Sequence, residues 1–165
     1  MTSGKKPLFR AFQEDHAVLG KGFYELSSCL RGKDLPGARR VAERMDREAG
    51  AHIAFEEECF YPALAKASGF EIGRLFDEHG EGLDVVRTLL EMHDTDDMSE
   101  ELRKELLANA QAMEDHIAEC GELFEAIAKM SDAQQQSLYE ELIAWRQKHP
   151  TWLGYRRGRA ASSTG

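Results

Sequence analysis

The chain has 165 residues, with 21 Lys and Arg against 30 Asp and Glu and a formal net charge of -9. That length corresponds to one domain able to bury a sizeable core. The acidic balance argues against nucleic acid or an anionic membrane surface as a main partner, and no stretch approaches the roughly 18 uninterrupted apolar residues of a membrane span.

The first residues, MTSGKKPLFRAF, carry two lysines with no apolar run behind them, so no secretory signal is expected. Apolar residues at helical spacing predict a first helix over 8–31, with Leu19, Phe23, Leu26 and Leu30 on one stripe. Asp34, ahead of Pro36, is placed to cap a second helix over 35–67, which Pro62 should kink. A third helix is expected over 71–92, through Leu75, Phe76, Leu83, Val86 and Leu90. After the polar loop HDTDDMSE, Ser99 should cap a fourth helix over 100–129. Ser131 should cap a shorter fifth over 132–148, closed by Pro150. Nothing alternates as a strand does. The reading is therefore an all-α fold: an up-down-up-down four-helix bundle over 1–150 with a short fifth C-terminal helix, and a flexible tail over 151–165. Arg156, Arg157 and Arg159 in that tail read as solvated charge. Three cysteines, Cys29, Cys59 and Cys120, are odd and sparse, which suits a reducing cytoplasm.

His16, His52, His79 and His116 each fall on a different long helix and on its apolar stripe. His16 shares a face with Leu19 and Phe23, His52 with Glu56 and Cys59, His79 with Leu83 and Val86, and His116 with Cys120, Leu123 and Ile127. Measured from the helix joints, the pairs His16–His52 and His79–His116 differ in height by two or three residues, roughly 3–5 Å at 1.5 Å per residue. One layer of the bundle can hold all four rings. A single core histidine with a hydrogen-bond partner is ordinary. Four at one depth beside a carboxylate call for a cation, because an unpaired buried polar group costs roughly 1–3 kcal/mol. Neutral imidazole and carboxylate suit iron, zinc, manganese or copper. The spacing of His52 and Glu56 can bracket one ion, or supply a terminal ligand and a bridge to a pair.

The segments FQEDHAVL, HIAFEEECFYPAL, FDEHGEGL and EDHIAECGELF resemble, in order, the four helices of the hemerythrin-like, or HHE cation-binding, proteins, over about residues 8–130. The resemblance implies a non-haem iron pair in a four-helix bundle, with His16, His52, Glu56, His79 and His116 at ligand positions. It also implies a small diatomic ligand, oxygen or nitric oxide, in sensing, detoxification or iron-centre maintenance. Helix four departs from the pattern, since Cys120 stands four residues after His116 and the glutamate, Glu119, one earlier. Glu119 lies about 60° from His116 around the helix and Cys120 about 40°. Glu119 swinging in as a bridge, Cys120 ligating as thiolate, and a position left to water stay open. The extra histidine of oxygen carriers is replaced by Leu83, which favours a reactive open position over reversible carriage.

A peroxidase- or catalase-like iron enzyme, with peroxide as substrate, is the alternative. A structural or signalling bundle with a vestigial metal site is the second. The chain is expected to be a cytoplasmic monomer or homodimer. Tyr24 and Tyr61 are candidates to hydrogen-bond a ligand near the site, and Glu57 and Glu58 read as solvated surface, with a place behind the ligands as the alternative for Glu57. No nucleophile–base pair, phosphate loop or nucleotide fingerprint is present.

Overall fold

A computed structural model of the chain describes residues 6–119 and 121–163. Among them there is no strand. The helices are α1 (Pro7–Arg31), α2 (Leu35–Phe55), a π-helical turn (Glu56–Phe60), α3 (Tyr61–Ser68), α4 (Gly73–Glu91), α5 (Glu100–Ala118), α6 (Gly121–Lys129), α7 (Asp132–Lys148) and α8 (Trp152–Ser163). No described helix is long and apolar enough to cross a membrane.

The caps lie where the polar residues promised them. Asp34 accepts from Gly37 N–H at the start of α2, and Ser99 accepts from Leu102 N–H at the start of α5. Ser131 and Gln134 form a reciprocal capping box on α7. α1 packs on α2, α2 on α4, α4 on α5 and α5 back on α1, which closes the four-helix bundle.

Two expected helices are interrupted. The second leaves α geometry over the π-turn, where Tyr61 N–H donates to the Glu56 carbonyl five residues back. Pro62 follows directly and has no N–H to continue an α ladder. The wider turn narrows the angle between successive side chains, so Glu56 and Glu57 both face inward. The fourth breaks at Glu119, the C-terminal cap of α5, and α6 resumes at Gly121. Cys120, expected as a possible ligand, lies outside the described residues.

The flexible tail expected after Pro150 is instead a helix through Ser163; Thr164 and Gly165 lie outside the described residues. Thr151 Oγ1 accepts from Gly154 N–H at the start of α8, and Asp46 of α2 accepts from Leu153 N–H. Trp152 is 1% exposed and meets Phe23 edge-on at 6.1 Å. Burying an indole of that size gives α8 its anchor. The turn into α8 crosses α2 at Gly50, where a Cβ would stand 2.0 Å from the Pro150 carbonyl oxygen, so only hydrogen fits. α7 rests on α1 and α2, and α8 on α2 and α4, so the C-terminal pair flanks α2 on both sides.

The core is in two parts. One gathers Leu19, Phe23, Leu26, Ile53, Leu83, Val86, Leu106 and Met113. The other gathers Leu8, Phe12, Phe55, Phe60, Tyr61, Leu64, Leu123 and Ile127. On each long helix the histidine falls at the seam: His16 between Phe12 and Leu19, His52 just before the Ile53–Phe55 change-over, His79 before Leu83, and His116 between Met113 and Leu123. A polar layer thus separates two apolar ones.

Candidate metal centre

His16, His52, His79 and His116 are all buried, from 1% to 7% exposed, as is Glu56 at 1%. The His16 and His52 rings meet edge-on with centroids 4.8 Å apart, and His79 and His116 do so at 5.4 Å. Glu56 stands between the two pairs. Its Oε1 lies 3.0 Å from His52 Nε2 and 3.7 Å from His79 Nε2. One ligand atom each from His16, His52 and Glu56 lie within 4.8 Å of one another, close enough for one cation.

The rings are oriented from behind. His16 Nδ1–H donates to the Phe12 carbonyl at 2.8 Å. His52 Nδ1 lies 2.9 Å from Asp15 Oδ2, and Asp15 in turn accepts from Arg146 of α7 at 3.1 Å. His116 Nδ1 is paired with Glu78, which accepts from Arg74 Nε at 2.6 Å. Each of these contacts fixes the outer nitrogen and turns Nε2 inward, the arrangement in which an outer carboxylate or carbonyl orients a metal-binding imidazole. Tyr61 O–H donates to Glu56 Oε2 at 3.0 Å and sits 3.1 Å from His79 Nε2. Phe12 packs on both His16 and His52, with centroids 4.2 and 5.2 Å away.

The electrostatics are those of a charge cluster in a dry layer. Burial pushes His16 down to about 4, reinforced by the charge of His52. Burial opposes the charging of His52 too, but Glu56 and Asp15 outweigh it and raise the ring to about 9. Burial alone would raise Glu56, yet His52 beside it holds the carboxyl well below the usual range. Burial and then His79 lower His116.

Three buried polar atoms among the described residues lack a hydrogen-bond partner: His52 Nε2, His79 Nδ1 and Glu57 Oε2. His52 Nε2 is close to Glu56 Oε1 and drawn to its charge, though the pair falls short of hydrogen-bond geometry. An orphaned imidazole nitrogen beside a carboxylate among three further imidazoles fits a transition-metal donor set.

The other sequence-derived candidates fall elsewhere. Glu119 is two-thirds exposed and reaches Arg74 at 3.4 Å, on the rim of an open cleft of about 420 Å³ that also touches Glu78 and His116. Tyr24 is exposed at 62%. Cys59 is half-buried, and its thiol is pushed up to about 11, first by burial. Glu57, read as solvated, has a side chain only 1% exposed, and two of the three tail arginines, Arg156 and Arg159, donate to it.

Residue-type reasoning missed Asp15 and Glu78. Each directly precedes a site histidine in sequence but holds the ring of a different helix, His52 and His116 respectively. The acid–histidine dipeptides were the available signal; the cross-helix pairing was not.

A family model described as the hemerythrin HHE cation binding domain matches residues 8–127. No curated protein and no solved structure matches the chain. With four imidazoles and a glutamate gathered in one buried layer, and that match spanning most of its length, the chain belongs to the hemerythrin HHE cation-binding family.

Proposed function

We propose that this chain is a non-haem iron protein holding a pair of ions through His16, His52, Glu56, His79 and His116, and that it binds oxygen or nitric oxide in sensing, detoxification or iron-centre maintenance. The observation that carries this reading is the position of Glu56, whose carboxylate lies between two imidazole pairs and can serve both. Iron held there supplies a redox-active Lewis acid with room for a small exogenous ligand.

The protein's own contribution is positioning and exclusion. Phe12, Phe60 and Leu83 are almost completely buried and wall the layer against bulk water. Leu83, one turn beyond His79, offers no fifth imidazole, so iron held by these residues would keep a place for a small ligand. The Tyr61 hydroxyl, 3.0 Å from Glu56, is a proton donor within the same buried layer. The cleft reaching Glu78 and His116 is the open side through which a diatomic molecule can approach.

Protein purified from iron-supplemented cells is expected to contain about two irons per chain by elemental analysis, the count a carboxylate-bridged pair requires, with an absorption spectrum that changes on addition of nitric oxide. Iron-free protein, or a spectrum indifferent to nitric oxide, contradicts the reading. The presence of Tyr61 as a proton donor favours a second reading, iron-dependent peroxide turnover, which a peroxide-consumption assay on the same sample decides.

A further inference from the structure

Glu57 and helix α8 are unused by the site described above, yet they touch it. The Glu57 side chain is buried at 1% exposure. Its Oε1 accepts from Arg156 Nη1 at 2.9 Å and from Arg159 Nη1 at 2.8 Å, both on α8. Its Oε2 has no hydrogen-bond partner and lies 3.6 Å from His79 Nδ1, which has none either. An unpaired buried donor facing an unpaired buried acceptor is costly, and a ring movement of well under 1 Å would join them at ordinary hydrogen-bond length.

The arginines are seated for this task. The Arg159 guanidinium stacks over the Phe76 ring at 4.6 Å. Arg156 passes α4 at Gly80, where a Cβ would stand 3.3 Å from its Nη2. The two cross α4 on either side of His79. On the other flank of α2, Arg146 of α7 holds Asp15, and Asp15 holds His52 Nδ1. Both α7 and α8 lie beyond the segment matched by the family model, which ends at residue 127.

We propose that Glu57 is the positioning residue for His79, braced by Arg156 and Arg159, so that the α7–α8 pair serves as an external brace coupling the C-terminus to the metal layer. The brace acts through charge: the two guanidiniums hold a carboxylate inside an apolar wall, and that carboxylate fixes the outer nitrogen of His79 so that Nε2 faces Glu56. The part of this inference concerning metal affinity rests on the metal-binding reading above.

The test uses the full chain, with cobalt(II) and ferrous iron under argon as the probes. Glu57→Gln keeps the shape and should weaken metal binding by about 10–100-fold, the range for outer partners of a ligand. Arg156→Ala/Arg159→Ala should weaken it by about tenfold or more, and Arg156→Lys/Arg159→Lys should recover part of that loss. Combining Glu57→Gln with the alanine pair should cost no more than Glu57→Gln alone, because all act through one carboxylate. In metal-free protein, two-bond nitrogen–proton NMR correlations should show His79 as the Nδ1–H tautomer, and Glu57→Gln should scramble it.

Affinities within twofold of the parent in folded variants, additive losses, or an unchanged His79 tautomer overturn the brace. Parent protein that takes up neither metal overturns the metal reading instead, while the tautomer measurement still decides whether Glu57 holds His79. Should the alanine pair fail to fold, Glu57→Gln and the lysine pair decide between the same outcomes.

Discussion

Addition of ferrous iron to the metal-free protein should raise its thermal midpoint by roughly 8–16 °C, and a chelator should reverse the shift. A ligand that binds only the folded chain stabilises it by RT ln(1 + [L]/Kd), about 4 kcal/mol at a thousandfold excess over Kd. For a domain of this size each kcal/mol moves the midpoint by roughly 2–4 °C. The effect is large because the donors are already collected: four buried rings and Glu56 lie in one layer, with three of the rings held at Nδ1 by Phe12, Asp15 and Glu78. Little conformational entropy remains to be lost on binding. The unfolded chain, with ligands from four helices dispersed, has no such site. Differential scanning calorimetry under argon reads the shift, and a midpoint indifferent to iron and chelator identifies a vestigial site.

Replacement of Glu56 should abolish that shift. Glu56 is the one carboxylate that approaches both imidazole pairs among the described residues, at 3.0 Å from His52 Nε2 and 3.7 Å from His79 Nε2. Without it the cluster keeps neutral rings and loses its only central anionic donor, so affinity should fall by more than about a hundredfold, beyond the range for outer partners. The two obvious substitutions separate binding from folding. Glu56→Ala also removes the buried carboxylate that accepts from the Tyr61 hydroxyl and attracts His52, and should lower metal-free stability by about 1–3 kcal/mol. Glu56→Gln keeps an acceptor for Tyr61 and the side-chain volume. It should therefore melt above Glu56→Ala without metal, short of the parent only by the lost charge attraction to His52, yet show no iron-dependent rise. Iron binding by Glu56→Gln at near-parental affinity would remove the carboxylate from its central place in the account.

The four-helix arrangement was legible because burial dictates periodicity. Leu19, Phe23, Leu83 and Leu123 share stripes with the histidines, and the same stripes form the two cores that enclose them. The caps at Asp34, Ser99 and Ser131 were legible because each oxygen faces an orphan N–H. The π-turn was not. Over five residues a register of i+5 cannot be told from i+4 by apolar spacing, so Glu57 read as outward-facing when the wider turn carries it inside. Helix α8 escaped for a related reason. WLGYRRGR has two glycines and three arginines, the composition of a solvated end, and only tertiary contacts at Trp152 and Glu57 make it a helix on the bundle. Arginine looks solvent-facing until a buried carboxylate is known to await it. The break after Ala118 carries no proline; its first residue, Glu119, is drawn to Arg74 at the rim.

The most direct measurement is anomalous diffraction at the iron absorption edge from crystals grown with ferrous iron. Anomalous density is expected within the layer, at coordination distance from the Nε2 atoms of His16, His52, His79 and His116 and from the Glu56 carboxylate. Anomalous density lying outside that layer, or rings turned away from one another in the iron-grown crystals, would contradict that placement.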